Sequence, residues 1–306
     1  MNLNRAEEPQ VRLKELRRNK GSLYSFPMAT WFTLFFLAPI IIIVIFSFLT
    51  RDMHLGIRWE FSLDAYRYLT DPVLLNITAR TISIAFITTL ITILIALPCG
   101  YAIARSKYQT LLLLLIIIPF WTNFLIRVFA WMNILGNSGF LNTILLHTGI
   151  IEDHIQFLFN QKAVILVLVY MYLPYAILPI FSTIDKFDFS LLEAARDLGA
   201  NKFTSMIKIL LPNIRGGVFT AVLFTFIPTF GAYAIPMLVG GMDSYMLGQR
   251  IADFLRGERN WPRAAAISVI LTLITTLGVI WMIYIQKREK SKSIEAKARK
   301  RELEAV

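Results

Sequence analysis

Residues 81–104, TISIAFITTLITILIALPCGYAIA, run for 24 positions without an Asp, Glu, Lys or Arg. A helix needs about 20 apolar residues to cross a hydrocarbon core of roughly 30 Å, so this stretch reads as a membrane span. On either side of it, charge-free stretches cover 21–50, 108–126, 163–184, 216–242 and 264–286, each long enough to cross. One more, 128–151, is divided by Gly136, Asn137, Ser138 and Gly139 into pieces of 8 and 12 residues, lengths that suit interfacial or buried helices. The sequence therefore reads as an all-α, polytopic membrane protein with six transmembrane helices.

Composition agrees. Of 306 residues, 56% are hydrophobic and only 17% charged, where a soluble domain carries about a quarter charged residues. That excludes a soluble globular enzyme, a disordered chain and a disulfide scaffold. The single cysteine, Cys99, allows no internal disulfide.

The net charge of +11 is unevenly placed. Of 31 Lys and Arg, 21 fall in residues 1–20, 105–107, 185–215 and 287–306, and 10 in the alternate segments. The positive-inside bias puts both termini in the cytoplasm. Residues 1–20 form an N-terminal extension. The first span is too long for the apolar core of a secretory signal and lacks a small-residue cleavage site. The basic tail, 287–306, reads as a cationic flank on anionic membrane lipid rather than a nucleic-acid contact.

All 20 acids lie in the termini and connections. An ion-coupled carrier usually holds its ion with intramembrane carboxylates or histidines. Here His54, His147 and His154 all fall in extracytoplasmic connections, with no metal-ligand spacing. No phosphate-binding Gly-Lys-Ser loop occurs, so any drive must come from another subunit. The spans do contain breakers: Pro39, Pro98 beside Gly100, Pro119, Pro174, Pro179, Pro228, Gly231 and Pro236. Ordinary bending and a flexing, cavity-lining bundle are both open readings, except in the fifth span, where three fall within nine residues.

The connection 185–215 is the long internal one, at 31 residues. Ser190 and Glu193 have capping-box spacing, which predicts a helix from Leu191, and Gly199 predicts its end. Asn201 predicts a cap for a second helix that continues until Pro212. Leu191, Leu192, Ala195 and Leu198 make an apolar stripe on the first. The stripe can pack on its own bundle or insert in a partner's groove, which Ala194, Ala195 and the turn at Gly199 suit; spacing does not separate the two.

Glu193-Ala194-Ala195, then Gly199, then Ile209-Leu210-Leu211-Pro212, resembles the EAA loop of ABC importer permeases. Residues 119–127 (PFWTNFLIR), 139–142, 191–200 and 259–262 are similar to the spermidine/putrescine permeases of that family. The resemblance implies a type I ABC importer permease fold in the bacterial inner membrane and a path for polyamines. It also implies a coupling surface at Glu193, Ala194, Ala195, Asp197, Gly199 and Pro212. Implied partners are two copies of an ATP-binding subunit, a second permease, and a polyamine-binding protein, periplasmic or lipid-anchored. ATP and Mg are expected on the ATPase, with no cofactor and no catalysis on this chain. The rivals are another small-solute cargo, an ion-coupled carrier and, weakest for want of a catalytic constellation, an intramembrane enzyme.

A polycation path calls for aromatic faces, where each cation gains about 0.5–2 kcal/mol. Trp121, Tyr170, Tyr172, Tyr175, Phe230 and Tyr233 lie within spans, with Thr122 and Asn123 adding polar groups beside the Pro119 break. The same aromatics also suit interfacial belts and packing. Arg80 and Arg127 are expected to snorkel to head groups from the outer edge. Asp243, Asp253 and Glu258 are loop acids open to either substrate or receptor.

Overall fold

The computed structural model describes residues 26–53 and 56–304. The extension 1–20, the first five residues of the first expected span and His54 lie outside the described residues.

Helix α1, Phe26–Ser47, is followed by a small antiparallel ribbon, β1 (Leu49–Thr50) with β2 (Arg58–Phe61), in which Leu49 faces Phe61. A short α2, Asp64–Arg67, leads to α3, Pro72–Ala104. Next come α4 (Gln109–Ile117), α5 (Phe124–Leu135), α6 (Phe140–His147) and α7 (Gln161–Ile184). The connection 185–215 begins with α8, Ser190–Asp197, and passes into α9, Lys202–Phe230. The chain closes with α10 (Ala234–Val239), α11 (Leu247–Arg256) and α12 (Trp261–Glu304). Among the described residues, six helices are long and apolar enough to cross a membrane: Phe26–Ser47, Pro72–Ala104, Phe124–His147, Gln161–Ile184, Lys202–Phe230 and Trp261–Trp281.

Helices α3, α7 and α9 pack on one another and form the centre, while α12 lies against α1 and α11. Small residues bring the central helices together, as in membrane bundles generally. A side chain at Gly217 of α9 would place its Cβ 2.7 Å from the Pro179 carbonyl of α7, and Gly100 of α3 is as tightly covered by Ile180. The buried hydroxyls of Thr81, Thr89 and Thr92 bond the carbonyl four residues earlier, which satisfies them inside an apolar bundle.

Among the described residues the core has three clusters: one in which Leu74, Phe230, Leu247, Phe254 and Ile267 join α3, α9, α11 and α12, and two layered along the bundle. Ile93, Ile103, Ile180, Ile184 and Ile214 form one layer, at the end that carries α8; Ile84, Val128, Val164 and Val239 form the other. Leu112, Leu113 and Ile116 of α4 belong with the first layer, and Val128 and Leu135 of α5 with the second. Between α3 and α7, α4 and α5 are joined by a 3-10 turn at Ile118–Trp121 and a break at Thr122 and Asn123, and the stretch long enough to cross is Phe124–His147, whereas Gln109–Trp121 is shorter than the expected span 108–126. The expected span 108–126 stopped at Arg127 because that residue is charged, but the helix carries Arg127 and continues to Leu135. The break expected at 136–139 is present: Asn142, fully buried, donates to Gly136 O and Ile155 O and accepts from Ile155 N–H.

Pro212 does not end a helix. A π turn at Met206–Leu210 precedes it, with Leu211 N–H bonded to Met206 O, and α9 runs through. Widening the turn makes room for the proline ring and its missing N–H. Pro39 is met in the same way by a π turn at Thr33–Leu37. At its other end α9 stops at Phe230, where Pro228 and Gly231 fall, before the expected boundary of 242.

Candidate functional site

Helix α8 stands on the end of the bundle through both ends of its own sequence. Asp188 Oδ1 accepts Ser190 N–H at 3.0 Å, so Asp188 caps the helix where Ser190 with Glu193 was expected to do so. Hydrogen bonds from Ser190 hold the Asp188 carboxyl below the ordinary carboxylate range. At the far end, Gly199 has φ +86°, Gly199 N–H bonds Arg196 O and Ala200 N–H bonds Ala195 O. That is a Schellman closure, which glycine adopts without steric cost. Asn201 then caps α9, accepting Thr204 N–H at 2.7 Å.

The apolar stripe splits between two faces. Leu192 and Ala195 are buried, Leu192 packing with Ile103, Ile184 and Leu210. Leu191 and Leu198 point away, and Leu198 is 90% exposed. Glu193, Ala194, Arg196 and Asp197 share the exposed side. Phe203, 73% exposed, and Ile207 extend this surface onto the first turns of α9. One edge of the stripe seats α8 on the bundle and the other is open.

The seat is reinforced by contacts the sequence did not signal. The guanidinium of Arg105, at the end of α3, lies 4.8 Å from the Phe189 ring centre. Tyr101 and Phe187 pack edge-on against the same ring. Gln109 Nε2, at the start of α4, donates to Asp185 Oδ1 at 2.7 Å. The connection is thereby tied to α3, α4, α7 and α9.

The aromatic candidates do not converge on one path. Tyr172 and Tyr175 sit 6.3 Å apart, and Phe120 meets Tyr175 edge-on at 5.2 Å. Trp121, 86% exposed, follows Phe120 in the chain, and Asn123 caps α5 by accepting Leu125 N–H. Tyr170 pairs with Trp131. Tyr233 accepts a hydrogen bond from Arg256, whose guanidinium also covers its ring. Phe230 is 2% exposed, stacked on Phe226 within the core, and offers no face to a path in this conformation. Its position at the end of α9, facing the α3 and α11 core residues, is the reason.

Both arginines have partners within the chain. Arg80 Nη1 donates to Met242 O at 2.6 Å, which ties α3 to the loop before α11. Arg127 folds onto Phe120, 4.6 Å from the ring centre. The loop acids serve the fold. Asp243 accepts Gln161 N–H at the start of α7, Asp253 accepts from the Tyr245 hydroxyl, and Glu258 pairs with Arg250 at 2.7 Å. Arg250 in turn lies 3.9 Å from the Phe254 ring centre and donates to the Tyr68 hydroxyl. Burial first, then the bond to Asp253, pushes the Tyr245 hydroxyl above its ordinary pKa. His147 and His154 are exposed.

Residues 92–291 match the family described as binding-protein-dependent transport system inner membrane component. The chain is 37% identical over 256 residues to the spermidine/putrescine transport system permease protein PotB of Escherichia coli (strain K12), covering 83% of this chain and 92% of that protein. Its fold is similar to a chain of a bacterial ABC transporter involved in the import of the acidic polysaccharide alginate, at a TM-score of 0.74 and 16% identity, covering 90% of this chain and 99% of that one. A second structure, of bacterial alginate ABC transporter in complex with alginate pentasaccharide-bound periplasmic protein, matches at 0.72 and 16%, covering 90% and 96%.

Proposed function

The chain belongs to the binding-protein-dependent transport system inner membrane components, a multi-pass inner membrane family, and on that footing we propose that it is the permease subunit of an ABC importer for polyamines. The observation that carries the coupling role is α8: a rigidly seated helix that leaves Leu191, Ala194, Leu198 and the neighbouring Phe203 uncovered. Such a surface needs a partner, and an ATP-binding subunit supplies one on the cytoplasmic side, where the Lys and Arg bias places this connection and both termini. Two copies of that subunit hold the ATP and Mg, and this chain contributes no catalysis.

ATP-driven closure of the ATPases moves α8, and the Arg105–Phe189 and Gln109–Asp185 contacts carry the movement to α3 and α4. Glu193, Ala194, Ala195, Asp197 and Gly199 form the docking helix and its closure, and Pro212 marks the π turn through which α9 follows. A second permease completes the cavity, and a periplasmic or lipid-anchored protein delivers the polyamine. The cargo rests on the likeness to PotB over most of both chains. Aromatic faces such as Tyr172, Tyr175 and Trp121 supply the weak cation contacts that a path requires.

Affinity purification of the tagged chain in mild detergent, with mass spectrometry of what stays bound, tests the assembly. Stoichiometric recovery of an ATP-binding subunit and a second permease is expected. Recovery of the chain alone, folded and active in transport, would overturn the reading.

A further inference from the structure

Tyr172 and Tyr175, two of the rings the sequence offers to a passing cation, lie beside Phe120, and the Phe120 ring already holds a cation. The guanidinium of Arg127 lies 4.6 Å from the centre of Phe120, which meets Tyr175 edge-on. This is an unusual way to keep an arginine. Its Nε and Nη1 atoms are buried and have no hydrogen-bond partner among the described residues. An arginine kept for architecture is normally fixed by carboxylates or carbonyls, as Arg250 is by Glu258 and the Tyr68 hydroxyl. Unpaired buried N–H groups carry a desolvation penalty that leaving the site relieves, which offsets what the guanidinium gains from the Phe120 face.

The other side of the cluster is open. Tyr175 is 47% exposed and Trp121, next to Phe120 in the chain, is 86% exposed, so these rings are not sealed by the chain's own packing. Arg127 stands in the first turns of α5, its N–H bonded to Asn123 O, so its backbone is fixed while its side chain reaches back to Phe120 beside the Thr122–Asn123 break.

We propose that Arg127 is a tethered placeholder: its guanidinium occupies the aromatic cluster at rest, yields it to an ammonium group of the polyamine in transit, and drives that group out by returning. The inference rests on the polyamine reading above. Like charges cannot share one ring cluster, so the returning guanidinium sets how long the substrate lingers. The residue thereby trades apparent affinity for speed of release.

The test uses the assembled importer in proteoliposomes with Arg127→Gln and Arg127→Lys. Removing the charge is expected to lower KM for spermidine by about fivefold and to lower the maximal rate, while Arg127→Lys stays near the wild type in both. An unchanged or raised KM in Arg127→Gln would overturn the inference. So would loss of assembly in Arg127→Gln with assembly kept in Arg127→Lys, which would mark the charge as structural. Failure of the underlying polyamine reading shows separately, as absence of spermidine uptake by the wild-type importer in the same assay.

Discussion

Arg105, the residue that follows the last turn of α3, lays its guanidinium 4.8 Å from the ring centre of Phe189, the residue just before α8. The contact joins a central helix directly to the connection that the ATPase is proposed to move. Cation–π pairs at exposed sites are worth about 0.5–1 kcal/mol, so the link is a soft one. Phe189→Ala is expected to lower uptake by roughly two- to fivefold, the rate equivalent of that energy, while membrane insertion stays normal. Uptake at equal membrane abundance checks this, and an unchanged rate would remove the link from the coupling route.

Glu193 is exposed on the open side of α8 and makes no capping bond, which frees it for a partner. Glu193→Lys is expected to leave the chain inserted and the ATPase hydrolysing, while uptake per ATP falls about tenfold, equivalent to some 1.4 kcal/mol of lost coupling. Paired measurements of hydrolysis and uptake on one preparation decide it. Normal uptake would take the coupling role away from this residue.

Asp188 gives a prediction with a defined sign. Its pKa in the folded chain lies below the ordinary carboxylate value, because Ser190 donates to it. Its contribution to α8 is therefore present above the ordinary value and is lost as pH falls through the lowered one. Asn caps as well as Asp and does not titrate. Asp188→Asn is expected to keep α8 protected at neutral pH and remove the loss on acidification, whereas Asp188→Ala loses protection at both. Hydrogen exchange over residues 188–200 reads the difference.

Gly217 and Gly216 form an internal control for the packing of α9 on α7. A Cβ at Gly217 would meet the Thr183 side chain and the Pro179 carbonyl, the latter at 2.7 Å, while one at Gly216 would meet nothing within 4 Å. Gly217→Val is expected to cost about 1–3 kcal/mol through overpacking. Gly216→Ala is expected to be neutral or to stabilise by up to about 1 kcal/mol through helix propensity. Thermal unfolding in detergent compares them, and equal Tm values would contradict the close approach.

Much of the bundle was legible because lipid imposes length and polarity on its helices. The breaks at residues 136–139 and after Pro228 followed from clustered glycines, asparagine and prolines, whose backbone preferences are local. Boundaries were less legible where a helix carries its own cations: Arg127 on α5, and Lys208 and Arg215 on α9, lie beyond a limit drawn by charge alone. Pro212 misled for a different reason, since a π turn lets a helix continue through proline and leaves no mark in spacing. In the connection, Gly199 and Asn201 behaved as their types predict. Asp188, two residues before the helix, carried the cap signal that Ser190 with Glu193 was credited with.

The aromatic residues were the least legible. A tyrosine or phenylalanine that suits a passing cation suits an arginine of its own chain equally well, and only the fold tells which one it has. Arg127 takes Phe120 and Arg256 takes Tyr233, while Phe230 disappears into the core. The loop acids were similarly absorbed, Asp243 at the start of α7 and Glu258 by Arg250.

The most direct measurement is uptake of labelled spermidine into proteoliposomes that contain this chain with its second permease, its ATP-binding subunit and the binding protein. The account predicts accumulation that requires ATP, is competed by unlabelled putrescine and disappears when the ATP-binding subunit is omitted. Accumulation driven by an ion gradient without ATP, or ATP-driven uptake of another solute with none of spermidine, would contradict it.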